Sequence, residues 1–281
     1  VRILITGGGG QLATDLEAAA EACEHDVLSL SRTELDITDR AAVAKAVAAI
    51  SPSNVINCAA WTAVDACESD PKRADLVNGE AVGYLADACR MNEAHLVQVS
   101  TDYVFDGNKV AAYVEDDVVN PQSSYGRSKL LGEQRAGQGA AIVRTSWVYS
   151  AHGGNMVETI CRLAAQHDTL RFVSDQIGHP THTADLARAL LNIAEDRQAG
   201  VWHCTNAGAV SWHEFAQAVL ESIGQDPSRV QPVTTAELQP PRPAPRPANS
   251  VLGNERYNTL YSPLPDFREQ LATIAGAYRS S

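Results

Sequence analysis

Tyr125 and Lys129, in the run Tyr125-Gly126-Arg127-Ser128-Lys129, place a phenol and an ammonium four residues apart in a segment, 121–138, that otherwise reads as helix. Residues at i and i+4 share one helix face, with Cβ atoms roughly 5–6 Å apart. A cation that close favours the phenolate, so the tyrosine exchanges its proton nearer neutral pH than a free phenol does. Such a group can act as a general acid toward an alkoxide formed from a ketone. The same spacing also arises as a plain surface ion–dipole pair, so the rest of the chain must decide.

A second feature with chemical meaning lies at the start. A strand over 2–6 runs directly into Gly7-Gly8-Gly9-Gly10-Gln11-Leu12-Ala13, which opens a helix. Glycines there let the backbone approach a pyrophosphate, whose charge then sits at the helix N-terminus. The spacing is Gly7-x-x-Gly10-x-x-Ala13, with alanine as the third small residue where helix meets sheet. A strand before and an amphipathic helix after are the context that separates a dinucleotide loop from a flexible turn. Gly7, Gly9, Gly10, Gln11 and Leu12 are therefore candidate cofactor contacts. At the end of the second strand a NAD site carries an acidic residue for the ribose 2′-hydroxyl. This chain has Ser31 and Arg32, suited to a 2′-phosphate, with Glu34 two residues on. NADPH is the expected cofactor, with NADH as the alternative.

The elements that must position these residues alternate. Strands are expected at 2–6, 26–30, 55–58, 95–100 and 140–145, and helices at 11–23, 39–50, 79–91 and 123–136. That rhythm means βαβ units and a parallel sheet covered by helices on both faces. The fold class is α/β, a Rossmann-type doubly wound sheet with ligand sites at the carboxyl ends of its strands. Beyond residue 150 the pattern loosens, with helices at 155–166, 183–196 and 211–223 and short strands at 171–173 and 201–204. Residues 1–150 are read as the NADP(H)-binding domain, and 151–281 as mainly a smaller α/β substrate-binding domain whose later segments return to the first. The proline-rich run 239–247 is neither helix nor central strand. Since a helical pattern follows at 266–278, it is expected to fold over the body as a loop.

Composition narrows the partners. The chain has 281 residues, 44% hydrophobic and 20% charged, with a net charge of −12. That balance disfavours nucleic acid and anionic membrane, while leaving room for a small anion held by local arginines or backbone N–H groups. No apolar run approaches the roughly 20 residues that span a bilayer. The first six residues read as a buried strand, not a signal peptide. Six cysteines, without any Cys-x-x-Cys, read as reduced structural thiols in a cytoplasmic protein. His179 and His182 flank Pro180 and are not read as metal ligands.

Several further segments carry a family resemblance: Asn57-Cys58-Ala59-Ala60-Trp61-Thr62-Ala63-Val64-Asp65, Val99-Ser100-Thr101-Asp102-Tyr103-Val104-Phe105-Asp106-Gly107, Arg144-Thr145-Ser146-Trp147-Val148-Tyr149, Asp175-Gln176-Ile177-Gly178-His179-Pro180-Thr181 and Arg246-Pro247-Ala248-Asn249-Ser250. With Tyr125 to Lys129, and in this order, the chain resembles the dTDP-4-dehydrorhamnose reductases of the extended short-chain dehydrogenase/reductase superfamily. The resemblance implies hydride delivery from nicotinamide to the C4 carbonyl of a dTDP-linked 4-keto-6-deoxy sugar. It implies Tyr125 as proton donor, Lys129 as the cation that lowers its pKa and binds the nicotinamide ribose, and Thr101 as a hydrogen-bond partner of the carbonyl oxygen.

The same resemblance puts Ala59, Ala60 and Thr62 in a loop beneath the cofactor, and Asp36 and Ile37 beside the adenine. Asp39 reads better as a helix cap. Trp147 matches a position facing the deoxysugar, or is a core tryptophan. Val104 and Phe105 either pack near the substrate or belong to the core. Asn155 and Gln176 are candidates for the nucleotide portion, and Arg246, with Arg242 second, for the diphosphate. Some relatives hold magnesium at a dimer interface through glutamates. Asp15 falls at one such position and the others have no match, so no metal ligand is assigned and the homodimer stays open.

Three other functions compete. A dehydratase needs an Asp-Glu pair beside the threonine, and here Tyr103 follows Asp102. A reductase of a related deoxysugar, as in dihydrostreptose synthesis, would share the catalytic residues and differ in pocket shape. A regulatory subunit like that of methionine adenosyltransferase would keep the fold without turnover.

Overall fold

The computed structural model describes residues 1–278. In the first half the chain runs β1 (Arg2–Thr6), α1 (Gln11–Ala22), β2 (Asp26–Leu30), α2 (Arg40–Ile50) and β3 (Asn54–Asn57). It continues through α3 (Val64–Ser69), α4 (Pro71–Ala74), α5 (Ala81–Met91), β4 (His95–Thr101), α6 (Ser124–Ala136) and β5 (Ala141–Thr145). Next come β6 (Val148–Tyr149), α7 (Met156–Gln166), β7 (Leu170–Val173), β8 (Ile177–Gly178), β9 (Thr181–His182), α8 (Thr183–Glu195) and β10 (Gly200–His203). The chain closes with β11 (Val210–Ser211), α9 (Trp212–Ser222), β12 (Val230–Val233), α10 (Glu255–Leu260) and α11 (Phe267–Tyr278).

Six strands form one parallel sheet in the order β10-β5-β4-β3-β1-β2. Chain direction across the sheet reverses between β1 and β3, the kind of switch point that opens a crevice at the carboxyl ends of strands. Alternation within the strands sorts side chains between two cores. Ile3, Ile5, Ile56 and Val97 pack with Leu16 of α1 and Leu186 and Leu190 of α8. Leu4, Val55, Leu96 and Ile142 pack on the other face with Val43 and Val47 of α2 and Leu85 of α5. Each fully buried Ile or Leu contributes about 1.5–3 kcal/mol. No helix among the described residues is long and apolar enough to cross a membrane.

A third core joins the rest: Tyr149, Ile160 of α7, Phe215 and Leu220 of α9, and Phe267 and Leu271 of α11. Between these elements the chain crosses back, because α8 packs on the first core and β10 pairs in parallel with β5. The run 239–247 forms no helix or strand, and its Ala244 is buried.

Local chemistry explains several element ends. Asp39 caps α2, its carboxylate accepting from the N–H groups of Ala41 and Ala42 at 2.9 and 3.0 Å. Glu68 holds the start of α6, taking the N–H and the hydroxyl of Ser124 at 2.6 and 2.9 Å. The largest departure from the sequence reading is the stretch 64–80. It forms two short helices and then a π-helical turn, Asp75–Glu80, so α5 begins at Ala81. The wide turn sets Asn78 against α6, where its amide donates to Ser128 Oγ at 3.0 Å and its Oδ1 accepts from Trp61 N–H at 2.7 Å. A Cβ on Gly132 would lie 2.2 Å from the Asn78 carbonyl oxygen, so only glycine permits this packing.

Candidate active site

The glycine loop lies pressed between two neighbouring backbones. A Cβ on Gly7, whose φ is +82°, would sit 2.7 Å from Ala59 N, and one on Gly8 would sit 2.9 Å from the carbonyl carbon of Leu30. Gly10 is the extended N-cap of α1, without a side chain over the first N–H groups of the helix. The cradle therefore exists only because these residues have no side chains, and it presents backbone donors of the kind a pyrophosphate needs. Gly9 (φ +79°) completes the turn. Gln11 and Leu12 line the cleft, and the Gln11 amide donates to Gly154 O at 3.1 Å and accepts from Ser150 Oγ at 2.9 Å.

The cleft, of about 660 Å³, runs from this loop along the strand ends. Arg32, Asp36, Ile37, Ala59, Ala60 and Thr62 all line it. Ser31 turns to Glu34, giving its N–H at 2.9 Å and its hydroxyl at 2.6 Å to the same carboxylate oxygen. Those hydrogen bonds hold the Glu34 carboxyl below its ordinary pKa. The nearby acid thus folds onto its own turn. Asp36 is likewise bonded locally, to Thr38 N–H and hydroxyl at 3.0 and 2.7 Å.

Thr101 ends β4, and Tyr125 and Lys129 stand one turn apart on α6; all three are buried and line the cleft. The Thr101 hydroxyl donates to Asp102 Oδ1 at 2.8 Å and accepts from Tyr103 N–H at 3.2 Å. Burial raises Asp102 to about 6 and is only partly offset by hydrogen bonds from Ser250 and Thr101. Lys129 Nζ donates to Val99 O at 2.7 Å. Burial lowers its pKa to about 8, against the opposing pull of Glu133 and Cys58. The Tyr125 phenol departs from the sequence reading. Its burial pushes the pKa up, and the hydrogen bond with Thr101 lowers it only in part. Desolvation of the phenolate is the largest influence on it, and Lys129 is not among the others. Tyr103 meets the Tyr125 ring edge-on, with centroids 5.5 Å apart.

At the far end Trp147 has φ +46° and stacks on Trp212, with centroids 3.6 Å apart and planes within 7°. Both rings line the cleft. Gly178 lets Trp147 close in, since a Cβ there would be 2.7 Å from Trp147 Cε2. Val104 and Phe105 sit in a small core with Tyr113 and Leu252, Phe105 stacking on Tyr113 at 4.2 Å, so core packing accounts for both. Phe105 also borders a second cavity of about 220 Å³ with Tyr103 and Arg246.

The remaining expected substrate contacts are engaged elsewhere. Asn155 caps α7 through Val157 N–H at 2.9 Å, and its amide donates to Ser150 O at 3.0 Å. The Gln176 amide donates to Thr235 Oγ1 at 2.9 Å. Arg246 forks onto Asp65, with Nη1 at 2.5 Å from Oδ1 and Nη2 at 2.8 Å from Oδ2. Asp15 pairs with His152 at 3.0 Å and accepts from Thr183 Oγ1. Among the described residues no three His, Cys, Asp or Glu side chains gather as a metal-binding group. All six cysteines are free.

Trp212, Arg73, Asp65 and Glu133 are among the residues of this region to which sequence reasoning gave no role. Only Trp212 carries a local signal, an aromatic directly after the Ser211 cap of α9.

Residues 1–280 match the family model described as the RmlD substrate binding domain. A dTDP-4-dehydrorhamnose reductase of Streptomyces griseus is 43% identical over 280 residues, covering 96% of this chain and 91% of the relative. The chain belongs to the dTDP-4-dehydrorhamnose reductase family. Within reach of this family, a probable dTDP-4,6-dihydroxy-2-methyloxan-3-one 4-ketoreductase of Streptomyces antibioticus is 42% identical, over 96% of this chain and 93% of that one. A Bacillus anthracis dTDP-4-dehydrorhamnose reductase solved in complex with NADP superposes with a TM-score of 0.93 at 34% identity, covering 97% of this chain and 98% of that one.

Proposed function

We propose that this chain is an oxidoreductase that converts dTDP-4-dehydro-L-rhamnose to dTDP-L-rhamnose with NADPH. The observation that carries the reading is the meeting of Thr101, Tyr125 and Lys129 in one cleft, with a side-chain-free phosphate cradle at one end and the Trp147–Trp212 stack at the other. NADPH, when bound, supplies the hydride. Gly7, Gly9, Gly10, Gln11 and Leu12 would hold its pyrophosphate. Ser31 and Arg32 would take the 2′-phosphate, Asp36 and Ile37 the adenine end, and Ala59, Ala60 and Thr62 would leave room beneath it.

The remaining work falls to the chain's own groups. Thr101 orients the ketone oxygen with its hydroxyl. Tyr125, kept protonated by burial, gives its proton to that oxygen as negative charge develops there. Lys129 places positive charge beside the phenolate this leaves. The Trp147 face receives the sugar, and Arg246 stands by the second cavity for the diphosphate. In this reading the segment 1–150 is the cofactor domain, and 151–281, apart from α8, β10 and α10, is the substrate domain. The Streptomyces antibioticus relative favours one second reading, a reductase of a related dTDP-linked keto sugar.

The test follows NADPH and NADH oxidation with dTDP-4-dehydro-L-rhamnose, comparing wild type with Tyr125→Phe. Turnover preferring NADPH, largely lost in the variant, supports the reading. A folded wild type that binds NADPH and turns over neither cofactor with this sugar overturns the rhamnose assignment.

A further inference from the structure

Glu133 lies one turn beyond Lys129 on α6, with only 7% of its side chain exposed. Three donors converge on its carboxylate. Ser100 Oγ and Arg144 Nε reach Oε1 at 2.6 and 2.9 Å, and Arg144 Nη2 reaches Oε2 at 2.8 Å. Ser100 directly precedes Thr101 at the end of β4, and Arg144 directly precedes the cleft residue Thr145 at the end of β5. A single buried carboxylate thus fastens the helix carrying Tyr125 and Lys129 to the ends of two central strands. A buried ion pair is weak evidence of stability, since desolvation offsets most of its attraction. Its place beside the reacting groups points to another role.

We propose that Glu133 is a positioning residue for the reductase site: its carboxylate, fixed by Arg144 and Ser100, keeps the Lys129 ammonium charged and seated on β4. The inference rests on the proposed reading only in giving that charge a use. The ionisable groups around Lys129 come from four elements. Tyr125 and Glu133 are on α6, Cys58 follows β3, Asp102 follows β4, and Arg144 on β5 stands behind Glu133. Cys58 is held neutral, its thiol pushed up to about 12 by burial. His203 of β10, 3.5 Å from Arg144, is also neutral, burial taking it down to about 3. Asp102, at about 6, is ionised where Lys129 titrates but is not among the charges acting on it; Glu133 is the foremost charge opposing the burial of Lys129.

The sequence makes a direct test practical. The chain has four lysines, Lys45, Lys72, Lys109 and Lys129, and only Lys129 is buried. Titration of the protein labelled with 13C at lysine Cε, followed by NMR without substrate, should show one resonance with a midpoint near 8. In Glu133→Gln that midpoint should fall by about one to two pH units, and the alkaline limb of kcat should move down with it. The double variant Glu133→Gln/Arg144→Met removes the stranded guanidinium, and its midpoint should still lie below wild type. An unmoved midpoint in the folded single variant would overturn the proposal. Full return to the wild-type midpoint in the double variant would also overturn it, assigning the shift to unpaired Arg144. Since the titration needs no keto sugar, a wild type that fails to reduce the sugar counts against the proposed function alone.

Discussion

The guanidinium of Arg246 grips both carboxylate oxygens of Asp65, and so ties the proline-rich run 239–247 to the first turn of α3. Ala244 N–H adds a third bond to the same carboxylate at 3.1 Å. Asp65 stands just past Thr62 and Val64, which line the main cleft, while Arg246 lines the second cavity. Tyr103 lines both, and the pair lies between them.

Replacing Asp65 by Asn should loosen that run, raising KM for the sugar nucleotide several-fold with a smaller effect on kcat. The stability loss should be about 1 kcal/mol or less, because 38% of the Asp65 side chain is exposed and solvent screens the pair. The hydrogen bond from Arg246 holds the Asp65 carboxyl below its usual pKa. A depressed carboxyl stabilises the fold above its unfolded pKa of about 3.9, and the contribution is lost as pH falls through the folded value. Melting temperatures of wild type and Asp65→Asn should therefore differ at neutral pH and converge in acid.

Gly7→Ala should abolish the phosphate cradle. The new methyl would meet Ala59 N at 2.7 Å, with φ at +82°. Strain of about 1–3 kcal/mol is expected, together with loss of NADPH binding by fluorescence titration. Gly139→Ala, where a Cβ has nothing within 4 Å, is the control and should bind NADPH as wild type does.

Arg32→Ala should raise KM for NADPH about tenfold or more, the usual scale for losing a charge-assisted phosphate contact. KM for NADH should stay nearly constant. Equal loss with both cofactors would remove Arg32 from the 2′-phosphate site.

Trp212→Ala should release the Trp147 ring, which the stack holds with about 0.5–1.5 kcal/mol beyond its burial. KM for the sugar nucleotide should rise while NADPH affinity is retained, as paired kinetic and binding titrations would show.

Much of this was legible in the chain because it rests on local rules. The alternation of Ile3, Leu4 and Ile5, the glycines at 7 to 10, the Asp39 cap and the Tyr125–Lys129 spacing each follow from a period or a turn requirement. Burial is set by partners distant in sequence, and there the reading falls short. Tyr125 is surrounded closely enough that desolvation, not a neighbouring cation, governs its phenol. Only the Tyr113 stack decides for Phe105 between the two placements the sequence left open, and Arg246 is claimed by Asp65 from 181 positions away. The π-helical turn at Asp75–Glu80 is rich in poor helix formers, Asp75, Val77, Asn78 and Gly79, and its packing on Gly132 of α6 lies 50 positions or more away in the sequence. Nothing local in the sequence marks Glu133, whose burial comes from Ser100 of β4 and Arg144 of β5.

The most direct measurement uses NADPH carrying deuterium at the transferred position of nicotinamide C4, with dTDP-4-dehydro-L-rhamnose as acceptor and NMR of the sugar product. Deuterium bonded to sugar C4 in dTDP-L-rhamnose, with the yield greatly reduced in Tyr125→Phe, is the expected result. NADPH oxidation that leaves sugar C4 without deuterium, or no product from a folded enzyme that binds both ligands, would contradict the proposed reduction.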